Sequence, residues 1–273
     1  MVIKNLLRRL DLTTLQLFLA VYEEGTLTRA AEREAIAVSA ASKRLLELAG
    51  HASGVRGYVR MMANLSAIVE FLPEDLRAFQ LRHERVKLDL EERPSGGVVA
   101  AVDDSLVDLG ICSGDADTRE LHVEHYRRDS LVLVMRDDHP LAARASVAFV
   151  ETLDGDHVGL HAASSINART HLAARQAGKP LRLRIHVPGF DAVCRMVQAG
   201  MGVGVLPQKV YQLLGRPLGL VGAPLEDDWS ERSLVLVARD VEALSPVSRL
   251  LFDHLRSIEA LEAAEAPPTA AGG

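Results

Sequence analysis

Cysteine is scarce: Cys112 and Cys194 are the only two in 273 residues, which excludes a disulfide framework and a paired metal-ligand spacing. No apolar run approaches the roughly 18 residues that a membrane span needs. The apolar stretch from Leu15 to Tyr22 is short, has no small-residue cleavage pattern after it and leads into charged sequence, so no signal peptide is expected. A cytoplasmic protein without membrane contact is the expectation.

Catalytic signatures are missing as well. There is no G-x-S-x-G elbow, Walker loop or H-E-x-x-H pair. His122 and His125 stand three apart in an extended polar segment with no nearby cysteine or third histidine, the setting of surface residues and not of metal ligands. Gly200, Gly202 and Gly204 have the glycine density of a dinucleotide loop, but they precede a strand where such a loop follows one. The reading is a chain with no catalytic residue, no metal site and no cofactor. Cys112 fits either a redox-sensing thiol or a small buried hydrophobe.

Positive charge is also in short supply. The net charge is -6, unfavourable for phosphate contacts. Residues 1–50 carry seven basic and six acidic side chains, +1 in all, which leaves -7 for residues 51–273. The chain does have length and apolar content: 273 residues at 48% hydrophobic support two or three compact units.

From Leu12 to Tyr22 the residues Leu12, Leu15, Phe18, Leu19 and Tyr22 recur at spacings of three and four, the pattern of a helix with one buried face. Asp11 is placed to cap that helix and Gly25 to end it. Thr26 or Thr28 starts a second helix, in which Ala30 and Ala31 permit close packing. A third helix begins near Ser39, with Leu45 and Leu48 on its apolar stripe. This order fits a helix-turn-helix, and the alternative, which spacing alone favours, is a small helical hairpin for packing or dimerisation.

After Gly57, strands at 58–63, 86–91 and 107–112 alternate with helices at 68–80 and 97–105. Further strands at 131–136, 157–161, 183–187, 202–206 and 233–238 surround helices at 165–177, 190–199 and 246–262. The alternation predicts an α/β fold with a parallel sheet and helices on its faces.

The N-terminal segment resembles the opening of LysR-type transcriptional regulators. The resemblance is carried by Gly25-Thr-Leu-Thr-Arg-Ala-Ala31 and by Ser42-Lys43-Arg44. It implies that Thr28 and Ser39 contact backbone phosphate, and that Ser42, Lys43 and Arg44 face phosphates or bases, with Arg29 beside them. A solvated helix face is the alternative for Arg29 and Arg33. The family's wing and linker-helix motifs are not found between Gly50 and His51, so the DNA-binding part reads as incomplete.

The rest of the chain resembles the two-lobed, periplasmic-binding-protein-like effector domain of the same family. Arg60 to Pro73, Val107-Asp-Leu-Gly-Ile111, Asp138-His-Pro-Leu-Ala142 and Phe190 to Pro207 carry that resemblance. The implied organisation is a partial helix-turn-helix over 1–50, a truncated linker over 51–57 and an effector domain over 58–262. Its lobe one would span 58–128 and 231–262, its lobe two 129–230, and a disordered tail would follow from 263 to 273.

In such sheets, ligands sit beyond the carboxyl ends of strands. The candidate effector residues are therefore Asn64, Leu65, Ser66, Cys112, Ser113, Ser164, Ser165, Phe190 and Gly204. Hydroxyl and amide side chains at helix N-termini favour an anion, and a small carboxylate is expected. Plain helix capping is the alternative for Ser66, Ser164 and Ser165. The implied partners are promoter DNA, a small-molecule effector and further copies of the chain in a homodimer or homotetramer. A stand-alone sensor module without DNA binding is the second reading.

Overall fold

The structure, a computed structural model, describes residues 12–24, 26–42 and 57–265. Helix α1 spans Leu12–Glu24 and α2 spans Leu27–Arg33, with a further helical stretch over 38–42. Thr26 caps α2, its side chain accepting from the Arg29 amide at 3.4 Å. Ala30 and Ala31 are fully buried and pack with Leu17, Ala20 and Ala41, as expected of small residues between close helices.

The buried face of α1 differs from the expected one. Leu17 and Ala20 are inside, whereas Phe18, Leu19 and Tyr22 are exposed, Tyr22 by 83%. Two stripes on this helix satisfy the three-and-four spacing, and only one of them meets the alanines of α2. Asp11, Gly25, Lys43, Arg44, Leu45, Leu48 and the side chains of Leu12 and Leu15 lie outside what is described.

Among the described residues nine strands follow: β1 Gly57–Ala63, β2 Val86–Glu92, β3 Leu109–Ser113, β4 His122–Met135, β5 His157–Leu160, β6 Leu183–Val187, β7 Val203–Pro207, β8 Val221–Pro224 and β9 Glu231–Ala238. The helices among them are α3 Leu65–Glu70, α4 Leu72–Arg82, α5 Ser95–Asp103, α6 Ser165–Gln176, α7 Phe190–Gln198 and α8 Pro246–Glu265. The helix expected over 68–80 is thus two, broken at Phe71, whose φ of -131° is not helical. Pro73 suits the first turn of α4, where its missing N–H goes unneeded. Helix α8 runs on to Glu265, past the start expected for a disordered tail at 263; residues 266–273 are outside the described set.

The strands run in the order β2-β1-β3-β9-β4-β7-β5-β6, with β8 beside β4. Pairing is parallel within β2-β1-β3 and within β7-β5-β6, and antiparallel wherever β9, β4 or β8 takes part. The sheet is therefore mixed and not all-parallel. Strand β4 causes this, because it belongs to both halves: His122–Ser130 pairs with β9, and Leu131–Met135 pairs with β7 and β8. A register shift between His125 and Arg127 interrupts the ladder just before the change of partner, a place where bulges re-aim strands.

Each half has its own core. Val59, Met61, Phe79, Leu109, Tyr126, Leu236 and Phe252 belong to the first, and Leu133, Phe149, Val158, Phe190, Val197 and Leu206 to the second. Val59, Met61 and Ala63 of β1 and Leu109 and Ile111 of β3 face the first core under α4 and α8, while Cys112 of β3 faces the cluster under α5. Among the described residues, no helix is long and apolar enough to cross a membrane.

Candidate ligand pocket between the two halves

Two pairs of parallel strands, one pair from each half, end at one pocket, and each strand leads into a helix. Strand β1 passes through Asn64 into α3, β2 through Pro94 into α5, β5 through Ser164 into α6 and β6 through Gly189 into α7. The resulting pocket is lined by Asn64, Leu65, Ser66, Glu92, Pro94, Ser95, Leu160, His161, Ser164, Ser165, Ile166 and Phe190. The opening amides of any helix have no intrahelical acceptor, so four sets of N–H groups, two from each half, surround one space. The lining contains no arginine or lysine. The helix ends are its source of positive potential.

Hydrogen bonds fix the wall on the first half. Asn64 Oδ1 accepts from the Ala67 amide at 3.0 Å and so caps α3. Its Nδ2 donates to Ser95 Oγ at 3.4 Å, and the Ser113 amide donates to that same oxygen at 3.1 Å. Ser66 Oγ accepts from Arg232 Nη2 at 2.7 Å. On the other wall, Ser164 occupies the N-cap position without a side-chain cap bond. Capping therefore does not account for Ser66, since Asn64 caps that helix, or for Ser164, which makes no side-chain cap bond. The free volume is about 20 Å³, room for roughly one water and far below the ~300 Å³ at which ligand pockets begin.

Of the nine expected effector residues, the pocket brings together Asn64, Leu65, Ser66, Ser164, Ser165 and Phe190. Ser113 lies behind Ser95 and is fully buried. Cys112, next to it on β3, points into the apolar cluster under α5, and burial pushes its thiol up to about 12, the state of an inert thiol. Gly204 lies under α7: a Cβ there would stand 2.8 Å from Val193 Cγ1. Its lack of a side chain serves helix packing.

The residues that the sequence reading missed are Glu92, Pro94, Ser95, Leu160, His161 and Ile166. A signal for Pro94 and Ser95 was present, since proline and serine following a strand mark a helix start. Among the expected DNA contacts, Thr28, Arg29 and Ser39 are exposed and Ser42 is half-buried, while Lys43 and Arg44 are outside the described residues. His122 is exposed on β4 with Nε2 2.9 Å from Glu124, and no metal-holding cluster occurs among the described residues.

Two α/β halves joined by crossing strands, with a polar pocket between them, define a two-lobed small-molecule-binding protein. Residues 52–259 match the LysR substrate binding domain model, and the chain belongs to that family, the ligand-binding part of LysR-type transcriptional regulators. It is 25% identical to the HTH-type transcriptional regulator YbhD of Escherichia coli K12 over 247 residues, 87% of this chain and 76% of that protein. The regulatory domain of CcmR from Synechocystis PCC6803, solved with 2-PG, superposes with a TM-score of 0.68 at 19% identity, covering 74% of this chain and 97% of that one. The effector-binding domain of QuiR with shikimate gives 0.67 at 16% identity, covering 75% and 98%.

Proposed function

We propose that this chain is a transcription regulator controlled by a small organic anion, a carboxylate, received between Ser66 and Ser95 on one side and Ser164 and Ser165 on the other. The observation that carries this reading is the convergence of four helix N-termini on one pocket whose lining has no arginine or lysine. Such ends favour an anion through free N–H groups and the helix dipole. Shikimate, held by the QuiR domain, is a carboxylate. Because the pocket holds about 20 Å³, the effector binds an opened arrangement and draws the lobes to a new pose; that difference in affinity shifts the population. The switch acts in the cytoplasm on a homodimer or homotetramer that carries the N-terminal helices to promoter DNA.

Thermal shift of the whole chain against small organic acids and their amides tests the reading. A binding acid at a hundredfold excess over its Kd stabilises the chain by roughly 2.7 kcal/mol, and Ser66→Ala with Ser165→Ala reduces the shift. Amides that stabilise as well as acids, or a double variant that binds every acid unchanged, would overturn the assignment. A stand-alone sensor is the second reading, favoured by the missing wing motif; a mobility shift on promoter DNA separates the two.

A further inference from the structure

Beneath the pocket lies a fully buried charged cluster. Arg232, at the start of β9, and Glu70, at the end of α3, have no exposed side-chain surface, and Asp129 on β4 has 2%. The guanidinium reaches three side chains on two other elements, β4 and α3. Its Nε donates to Asp129 Oδ2 at 2.6 Å, its Nη2 donates to Ser66 Oγ at 2.7 Å, and Glu70 Oε1 lies 3.8 Å from Nη2. Asp129 and Arg232 sit where β4 and β9 pass from one half to the other, so the cluster underlies both the pocket and the crossing strands.

The hydroxyl of Ser66 faces two ways. A serine oxygen accepts through its lone pairs and donates one proton. Here the guanidinium occupies the accepting side, which turns the proton away from Arg232. Among the described residues no acceptor takes that proton, and Ser66 lines the pocket. Ser95 repeats the arrangement, its oxygen accepting from both Asn64 and the Ser113 amide.

We propose that Arg232 is a positioning residue that makes Ser66 a one-way donor into the pocket, so that the pocket selects a hydrogen-bond acceptor bearing charge over its neutral isostere. This deepens the effector reading above and names what enforces it. A buried charge so placed strengthens a hydrogen bond through the oxygen it polarises. Asp129 balances the guanidinium, and Glu70, raised to about 9 by burial and by the nearby Asp129, carries its proton at neutral pH and adds no opposing charge.

A ligand-free test reads the donor directly. Ser66→Cys puts a thiol where Arg232 donates, and a thiol beside an arginine titrates below the ordinary value of about 8.5. Ultraviolet thiolate absorbance of the whole chain reports it cleanly, because burial holds Cys112 at about 12 and Cys194 at about 11. The expected result is at least a tenfold rise in the thiolate-to-thiol ratio over a free cysteine. The rise should vanish when Ser66→Cys is combined with Arg232→Met and Asp129→Leu, which removes both charges and strands neither. A thiol titrating at or above the ordinary value overturns the proposal on the single variant alone. So does a depression that survives loss of Arg232. If the thiol is depressed through Arg232 while the parent chain binds no organic acid, the effector reading falls and the donor assignment stands.

Discussion

Arg169, one turn into α6, reaches from the second half to Asp115 in the loop after β3, its Nε 2.9 Å from the carboxylate, while its Nη1 holds the Trp229 carbonyl at 2.7 Å. One ion pair thus ties the two halves together beside a pocket too small for an effector. Asp115 is 43% exposed, so the pair is worth no more than about 1 kcal/mol.

Asp115→Asn should therefore leave the melting temperature nearly unchanged and raise the rate at which an organic acid enters the pocket. Stopped-flow association is the measurement. An unchanged on-rate would show that the pair does not restrict entry.

Glu70 gives stability a particular dependence on pH. Its folded-state value is about 9, against roughly 4.3 in an unfolded chain. Between those values the folded state keeps a proton that the unfolded state has lost, so the contribution is present at low pH and is lost as pH rises towards 9. Glu70→Gln, which cannot ionise, should melt higher than the parent at about pH 8 and equally at about pH 4. A parent melting curve as flat with pH as that of the variant would count against a protonated Glu70.

His157 has the opposite sign. Burial lowers it to about 4, against roughly 6.5 when free, and its Nε2 lies 3.0 Å from Thr152 Oγ1. As pH falls from about 6.5 to 4, the unfolded chain takes up a proton that the folded one refuses, and stability is lost over that window. His157→Gln should flatten the slope there while lowering stability at neutral pH. Urea unfolding at several pH values checks both effects.

Gly204→Ala separates packing from binding. The added methyl meets Val193 at 2.8 Å, an overpacking of the kind that costs about 1–3 kcal/mol, yet Gly204 lines no part of the pocket. Stability should fall while the affinity for an effector stays within twofold, as calorimetry on the folded variant would show.

What the sequence made legible follows from local chemistry. Strand ends that turn into helices carry Asn64, Ser66, Ser164 and Ser165, and polar residues at such turns stand out against apolar strands. Asp129 and Arg232 did not stand out, because charge in a sequence reads as surface, and their burial comes from a pairing across 103 residues that no local pattern encodes. The crossing role of β4 was hidden for the same reason: its first part is polar on one side and reads as a surface segment. On α1, the three-and-four spacing picked out one stripe, while the buried one, Leu17 with Ala20, depends on where Ala30 and Ala31 lie.

Weak binding to operator DNA is the last expectation. Phosphate affinity grows with each counterion released, so the number of unneutralised basic side chains near the groove matters most. On α2, Arg33 is held at 2.7 Å by Glu23 and at 3.2 Å by Glu24, two carboxylates of α1 that cancel its charge. Arg29 is exposed on the same helix, and the wing motif that would add contacts is not found in the sequence. Losing several phosphate contacts lowers affinity multiplicatively, and two recognition helices must also stand about 34 Å apart to meet successive turns of the major groove. The whole chain should therefore bind the DNA beside its own gene with a shallow salt dependence, and Glu23→Gln with Glu24→Gln should steepen it by releasing Arg33 to a phosphate. Fluorescence anisotropy at low and moderate salt measures both slopes. Tight, sequence-specific binding by the unaltered chain at moderate salt, equal to that of a chain with a family wing and linker inserted after Gly50, would show that these contacts are not needed.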